Sequence, residues 1–132
     1  MGTPEFAVPS LEVLKNSNYK ISAVYTQPAS KANRGQKTVE SKIELAAKKL
    51  LLNIRTPRTL DNEIEYEFIK SIQPDIGIVV AYGKIIPKRF LELPKFGFIN
   101  IHASLLPKWR GAAPIQRSIM NLDKETGVSI MK

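Results

Sequence analysis

Asn100 and His102 are the two residues of this chain whose types and spacing most directly suggest chemistry. They lie in the apolar stretch FINIH, residues 98–102. Residues two apart on a β-strand project from the same face, roughly 7 Å apart. An amide can donate a hydrogen bond to an oxygen that gains negative charge, and an imidazole beside it can supply or remove a proton. His102 is the only histidine of the chain, so acid–base chemistry near pH 7 falls first to it.

The residue types around Asn100 and His102 also allow interpretations other than catalysis by this pair. A lone histidine beside an apolar strand is more often a structural residue of the core. The chain has no cysteine, and Ser104 lies two residues beyond His102 at the start of a loop, so a serine-nucleophile triad is poorly supported. No second histidine or carboxylate cluster suggests a zinc site. A nicotinamide-binding domain is a weak alternative, because no G-x-G-x-x-G motif follows a strand.

The segments that must position this pair alternate between strand and helix patterns. Strands are predicted over 21–26, 53–56, 75–80 and 96–101, with a further one starting at 127. Helices are predicted up to residue 16 and over 39–51, 63–72, 87–93 and 113–121. This alternation predicts an α/β fold with a doubly wound, mostly parallel sheet. In open sheets of this kind, ligands bind at the carboxyl ends of the strands.

Two further segments are unusual. Residues 2–6 have the composition of a strand-to-helix turn, with Thr3 as a helix N-cap and Pro4 at the first helical position. Such a turn normally follows a buried strand, so a first strand is expected before Gly2. Residues 27–38 form a polar, basic segment, which is too long for a simple connector and is typical of a functional loop.

Composition limits the class of protein. The chain has 132 residues, of which 43% are hydrophobic, and suits a single globular domain. No apolar run approaches the ~18 residues that a membrane span needs, and no secretion signal is evident, so a cytoplasmic location is expected. The net charge of +8 fits a polyanionic partner such as RNA, although solubility alone would also explain it.

Several motifs together resemble the methionyl-tRNA formyltransferase family, in the right order along the whole chain. The most specific is the segment from Asn100 to Arg117, NIHASLLPKWRGAAPIQR. The others are GTPEFA from Gly2, VYTQP from Val24, VVAYG from Val79, IPK from Ile86 and ETGV from Glu125.

The resemblance implies a Rossmann-like formyl transferase fold and a role in translation initiation. The family transfers a formyl group from 10-formyltetrahydrofolate to the amino group of methionyl initiator tRNA, without a metal. Asn100 and His102 would be the catalytic residues. No membrane partner is implied, and the complete protein would be a monomer.

The resemblance also implies binding residues. The folate pocket would be lined by Tyr82, Gly83, Ser104, Leu105, Leu106 and Pro107. Phe6 would form part of the methionyl pocket. The basic segment would contact tRNA through Arg34, Gly35 and Lys37.

Departures from the family pattern predict that residues 1–132 are an incomplete N-terminal catalytic domain. The family's third catalytic residue is an aspartate downstream of the strand that starts at Gly127, beyond Lys132; Asp123 and Glu125 precede that strand and are not given this role. The first strand and the C-terminal β-barrel that helps to hold tRNA are missing as well. We therefore expect little or no activity from this chain alone.

Two alternatives stay open. The chain could be a noncatalytic remnant that binds folate or RNA without turnover. It could also be another folate-dependent formyltransferase or hydrolase of the same superfamily, acting on a sugar nucleotide or a small amine.

Overall fold

A computed structural model describes residues 1–32 and 37–132, apart from the side chains of Lys31, Ala32 and Lys37. The helices, after a 3₁₀ turn at Glu5–Ala7, are α1 (Val8–Lys15), α2 (Lys42–Lys49), α3 (Glu63–Ile72), α4 (Lys88–Leu91) and α5 (Pro114–Met120). The strands are β1 (Val24–Tyr25), β2 (Ser30–Ala32), β3 (Lys37–Val39), β4 (Ile54–Arg55), β5 (Gly77–Val79), β6 (Phe98–His102) and β7 (Ser129–Met131).

The strands that carry the fold are mostly parallel. β1 pairs in parallel with β4, and β5 pairs in parallel with β6. β7 pairs antiparallel with the other edge of β6. The remaining pair, β2 and β3, is a separate antiparallel hairpin.

Met1 and Gly2 join the two parallel pairs. The Gly2 amide donates to the Tyr25 carbonyl at 2.9 Å, and the Val80 amide donates to the Met1 carbonyl at 2.8 Å. Gly2 forms a parallel bridge with Val80. The spatial order is therefore β4, β1, the Met1–Gly2 segment, β5, β6 and β7, and Met1 and Gly2 join the two halves of the sheet near the carboxyl ends of β1 and β5.

Helices cover both faces of this sheet. One core cluster joins α1 and α2 to Val24 and Val80, and a second joins α3 and α4 to Tyr25 and Val79. Neighbouring strand residues thus point to opposite clusters, as the alternation of side chains along a strand requires. This two-sided burial explains why the strands are continuous apolar runs.

Three local predictions need correction. The segment 27–38 is not simply a loop, because it contains β2 and the start of β3. The helix expected over 39–51 begins only at Lys42, where Ser41 caps it by accepting a hydrogen bond from the Glu44 amide. Thr3 is not a helix N-cap; its hydroxyl donates to the Tyr82 carbonyl at 2.9 Å. A long-range partner decides the position of Thr3, whereas the Ser41 cap and the pairing of β2 with β3 join residues that are close in the sequence.

An open cleft of about 810 Å³ lies between the amino-terminal ends of β1 and β5, next to Met1 and Gly2. Leu11 and Leu14 of α1 line it from one face of the sheet, and Ile69 and Ile72 of α3 line it from the other. The cleft therefore passes through the sheet, and its walls are mostly apolar.

Gly2→Ala should reduce the free energy of unfolding by about 1–3 kcal/mol, the usual cost of overpacking a core. A Cβ atom at Gly2 would lie 2.8 Å from the Ala7 Cβ and 2.9 Å from the Val80 carbonyl oxygen, and both belong to packed elements. Chemical denaturation of both proteins measures the difference. Gly111→Ala is the comparison, since its Cβ would meet no atom within 4 Å and only the φ of +85° opposes it. Equal stability of Gly2→Ala and the parent chain would contradict the close packing.

Candidate active site

The amide and the imidazole predicted to act together both lie on β6. Phe98, Ile99 and Ile101 give this strand its apolar character, and β5 and β7 flank it on either side. Asn100 lies opposite Val79 of β5, and His102 lies opposite Ser129 of β7. His102 is itself the last residue of the strand, one residue beyond the predicted end. Because the two residues are two apart on a regular strand, their side chains share one face.

The imidazole of His102 has a defined partner. Its Nε2 atom lies 3.0 Å from the backbone carbonyl oxygen of Trp109. A carbonyl oxygen only accepts hydrogen bonds, so Nε2 carries the proton in this contact. In the neutral ring, Nδ1 is then the nitrogen that can accept a proton. An amide donor beside a ring in this state can stabilise a developing oxyanion and move a proton.

The turn after β6 is fixed by two serines. The Ser104 side chain is fully buried and its hydroxyl donates to the Lys108 carbonyl at 2.7 Å. The Ser129 hydroxyl donates to the Ser104 carbonyl at 2.8 Å and accepts from the Leu106 amide at 3.1 Å. The Leu106–Pro107 peptide bond is cis. The strand that pairs with His102 therefore also holds the turn in place.

The residues of this turn differ in what they present to a ligand. Leu105 and Pro107 are exposed and Leu106 is half-buried. A cavity of about 290 Å³ lies between the turn and the segment before β7; it is lined by Leu105, Pro107, Lys108, Trp109, Asp123, Glu125 and Thr126. Ser104 presents no exposed group to a ligand, since the whole residue is buried, its amide donates to the His102 carbonyl and its carbonyl accepts from Ser129.

Tyr82 and Gly83 lie where the chain leaves the sheet after Val80. The Tyr82 side chain is 1% exposed and belongs to the second core cluster. Burial, and then the charge of Glu65, raises the pKa of the Tyr82 phenol to about 12. The Tyr82 carbonyl accepts a 3.0 Å hydrogen bond from the Gln27 amide. Tyr82 is thus buried as a whole residue, whereas Gly83 is exposed.

The residues expected to bind the acceptor are not brought together with Asn100 and His102 by any described contact. Phe6 is half-buried and packs against the first core cluster. Arg34 and Gly35 lie outside the described residues. Lys37 is the first residue of β3, and its side chain is also outside the described part.

Sequence reasoning missed Ser129, Gln27 and Asp123. Ser129 is a polar residue within an apolar strand, and this contrast is a usable signal. Gln27 directly follows the apolar run that ends at Thr26, so its place at the carboxyl end of a strand was also visible. Asp123 gave no such signal, because its partner Trp109 is 14 residues away along the chain.

Two kinds of feature are absent from residues 1–32 and 37–132. Within them, no three or more His, Asp or Glu side chains are grouped so as to hold a metal ion. No helix in the same ranges has both the length and the apolar character needed to cross a membrane.

A family model described as formyl transferase matches residues 1–132. A methionyl-tRNA formyltransferase of Pelagibacter ubique is 64% identical over 133 residues, which is 100% of this chain and 43% of that protein. A methionyl-tRNA formyltransferase of Coxiella burnetii is 49% identical over 131 residues, which is 99% of this chain and 42% of that protein. The chain therefore spans less than half of these curated relatives.

Solved structures with a similar fold are more distant in sequence. A phosphoribosylglycinamide formyltransferase from Anaplasma phagocytophilum superposes with a TM-score of 0.71 at 20% identity, covering 98% of this chain and 60% of that one. One from Bacillus halodurans has a TM-score of 0.68 at 20% identity, covering 98% and 67%. At this identity the likeness concerns the fold alone, and it confirms the predicted α/β class with a mostly parallel sheet.

Proposed function

This chain belongs to the formyl transferase family, and on that basis we propose that it is the catalytic part of a methionyl-tRNA formyltransferase. The donor would be 10-formyltetrahydrofolate and the acceptor the amino group of methionyl initiator tRNA. The observation that carries the proposal is the pair of Asn100 and His102 on one face of β6, with the following turn tied back to the neighbouring strand.

The reaction uses these two side chains as follows. The acceptor amine attacks the formyl carbon, so that a C–N bond forms and the carbonyl electron pair moves onto oxygen. The Asn100 amide donates a hydrogen bond to this oxyanion. His102 takes the proton that the nitrogen must lose. The oxyanion then re-forms the carbonyl, and the bond to N10 of the folate breaks. N10 keeps the electron pair and receives the proton from His102, and the products are the formylated amine and tetrahydrofolate.

The surface next to this pair suits a folate. Leu105 and Pro107 are exposed apolar residues, and Gly83 is exposed at the carboxyl end of the sheet, where the Gln27 amide fills the position that a side chain at Gly83 would take. Leu106 would add a half-buried apolar contact. Tyr82 and Ser104 would support the pocket from beneath, since both residues are buried. The six residues expected to line the folate pocket would therefore differ in whether they touch the ligand.

The acceptor is proposed from charge and from relatives. The net charge of +8 suits a polyanion. Relatives of 48–64% identity are named methionyl-tRNA formyltransferase, whereas the solved structures named for a sugar-phosphate acceptor are only 18–20% identical. Arg34, Gly35 and Lys37 would contact the tRNA and Phe6 the methionyl group, and these roles rest on the family resemblance.

The test joins this chain to the rest of the Pelagibacter ubique relative, which it matches over 43% of that protein's length. The chimera should formylate methionyl initiator tRNA with 10-formyltetrahydrofolate as the donor. Phosphoribosylglycinamide and free methionine, supplied at the same concentration, should give no product. A folded chimera that formylates one of these small amines in preference to the tRNA would overturn the proposed acceptor.

A further inference from the structure

Asp123, in the segment before β7, is the centre of a small polar cluster. Its side chain is only 7% exposed. One carboxylate oxygen accepts from the Trp109 indole Nε1 at 2.6 Å, and the other accepts from the Asn121 amide at 2.8 Å. The Lys108 ammonium lies 3.7 Å from that second oxygen. The hydrogen bonds from Asn121 and Trp109 lower the pKa of Asp123, so the group is a carboxylate at neutral pH.

Trp109 connects this cluster to the catalytic pair. Its side chain is held by Asp123, and its backbone carbonyl is the group that contacts His102 Nε2 at 3.0 Å. The φ angle of Trp109 is +55°, in the left-handed region that residues with a side chain seldom adopt. The hydrogen bond from the indole to Asp123 holds the far end of the Trp109 side chain. It thereby helps to keep the backbone of Trp109 in this conformation.

We propose that Asp123 is a positioning residue for His102, acting through Trp109. The carboxylate anchors the indole, the anchored residue directs its carbonyl at Nε2, and the Nε2 proton is thereby held in place. Nδ1 is then kept free as the ring nitrogen that accepts the proton from the attacking amine. The inference rests on the proposed function for its catalytic meaning, but the chain of contacts can be tested without any reaction.

The chain is well suited to a spectroscopic test, since it contains one tryptophan and one histidine. Proton exchange at His102 Nε2 and the indole Nε1 resonance can each be assigned without ambiguity by ¹⁵N NMR. The variants are Asp123→Asn, which removes the charge, and Trp109→Phe, which keeps an aromatic ring but removes the indole N–H. Asp75→Asn is the matched control, because Asp75 is exposed and distant in sequence from the cluster.

Both test variants should speed solvent exchange of the His102 Nε2 proton by about tenfold. This is the effect expected when the charge-assisted hydrogen bond between Asp123 and the Trp109 indole no longer anchors the carbonyl that holds this proton. Asp75→Asn should leave it unchanged, and Asp123→Asn should also shift the indole resonance. Two results would overturn the proposal. One is unchanged exchange in both folded variants, and the other is a change in Asp123→Asn that Trp109→Phe does not reproduce. If Asp123→Asn fails to fold, Trp109→Phe alone decides.

The catalytic part is measured in the chimera with the Pelagibacter ubique relative. Asp123→Asn and Trp109→Phe should each lower kcat about tenfold while the KM for the folate stays the same, and the double variant should be no worse than either single one. Additive losses would show that the two residues act separately and would contradict the proposed chain. A chimera without any formyl transfer would instead count against the proposed function, and the NMR measurements would still decide the role of Asp123.

Discussion

His102→Ala should lower the rate of formyl transfer by the chimera by about 10²–10⁴-fold, the usual contribution of a positioned acid–base group. The reason is specific to this chain. His102 is its only histidine, and the Trp109 carbonyl already fixes which ring nitrogen carries the proton. The measurement is the rate of formyl-methionyl-tRNA formation in single turnover, with the folded state of the variant checked by circular dichroism.

The partner of His102 gives a second arm to the same experiment. Asn100→Ala should cost about 10²–10³-fold in kcat, because it removes one donor to the oxyanion. Asn18→Ala is the matched control, since Asn18 is an exposed asparagine after α1. Full activity of folded His102→Ala, or equal losses in Asn100→Ala and Asn18→Ala, would remove the pair from the mechanism.

Glu65→Ala should reduce the free energy of unfolding by about 3–5 kcal/mol, the range found when one partner of a buried ion pair is removed. Glu65 accepts two hydrogen bonds from the Arg55 guanidinium, at 2.7 and 2.8 Å, and one from the Tyr25 hydroxyl at 2.6 Å. Its side chain is 9% exposed. The variant would leave the Arg55 charge and the buried Tyr25 hydroxyl without their acceptor.

Urea denaturation at pH 7 measures this loss. Glu67→Ala is the matched control on the same helix, because Glu67 is 58% exposed and has only a 3.5 Å contact with Lys70. Exposed pairs of this kind contribute little, so a change below about 0.5 kcal/mol is expected. Similar losses in the two variants would contradict a stabilising role for the buried network.

The same network predicts a dependence on pH. Burial alone would raise the pKa of Glu65, but the hydrogen bonds from Arg55 and Tyr25 outweigh it, so the pKa lies below the ordinary value of 4.5. A carboxylate whose pKa is lower in the folded state contributes stability above its unfolded pKa and loses it as the pH falls through the folded value. The stability difference between the parent chain and Glu65→Gln should therefore shrink below about pH 4.5.

The sequence predicted the parts of the fold that depend on local pattern. The helix over 63–72 is correct, because its apolar spacing is regular and Asn62 caps it. The strand that carries Asn100 and His102 was also found, with a boundary one residue short at its carboxyl end. The periodicity of a helix or a strand determines which neighbouring positions are apolar, so such elements can be recognised from residues that are close in the sequence.

Contacts between distant residues were not predictable in this way. Thr3 bonds a carbonyl 79 residues away, and its usual preference for helix caps gave the wrong role. Tyr82 belongs to a motif that indicated a ligand site, yet its ring is in the core. The left-handed conformation of Trp109 and its bond to Asp123 depend on how the turn meets the segment before β7. The conformational preference of a single residue does not predict a contact between two such segments.

The Tyr82 carbonyl is a junction between distant segments at the carboxyl end of the sheet. It accepts hydrogen bonds from the Thr3 hydroxyl and from the Gln27 amide, so the segments that follow Met1, β1 and β5 are fastened to one another there. Backbone amides around this junction should exchange with solvent only when the molecule unfolds more completely, whereas those of exposed turns should exchange through small local openings.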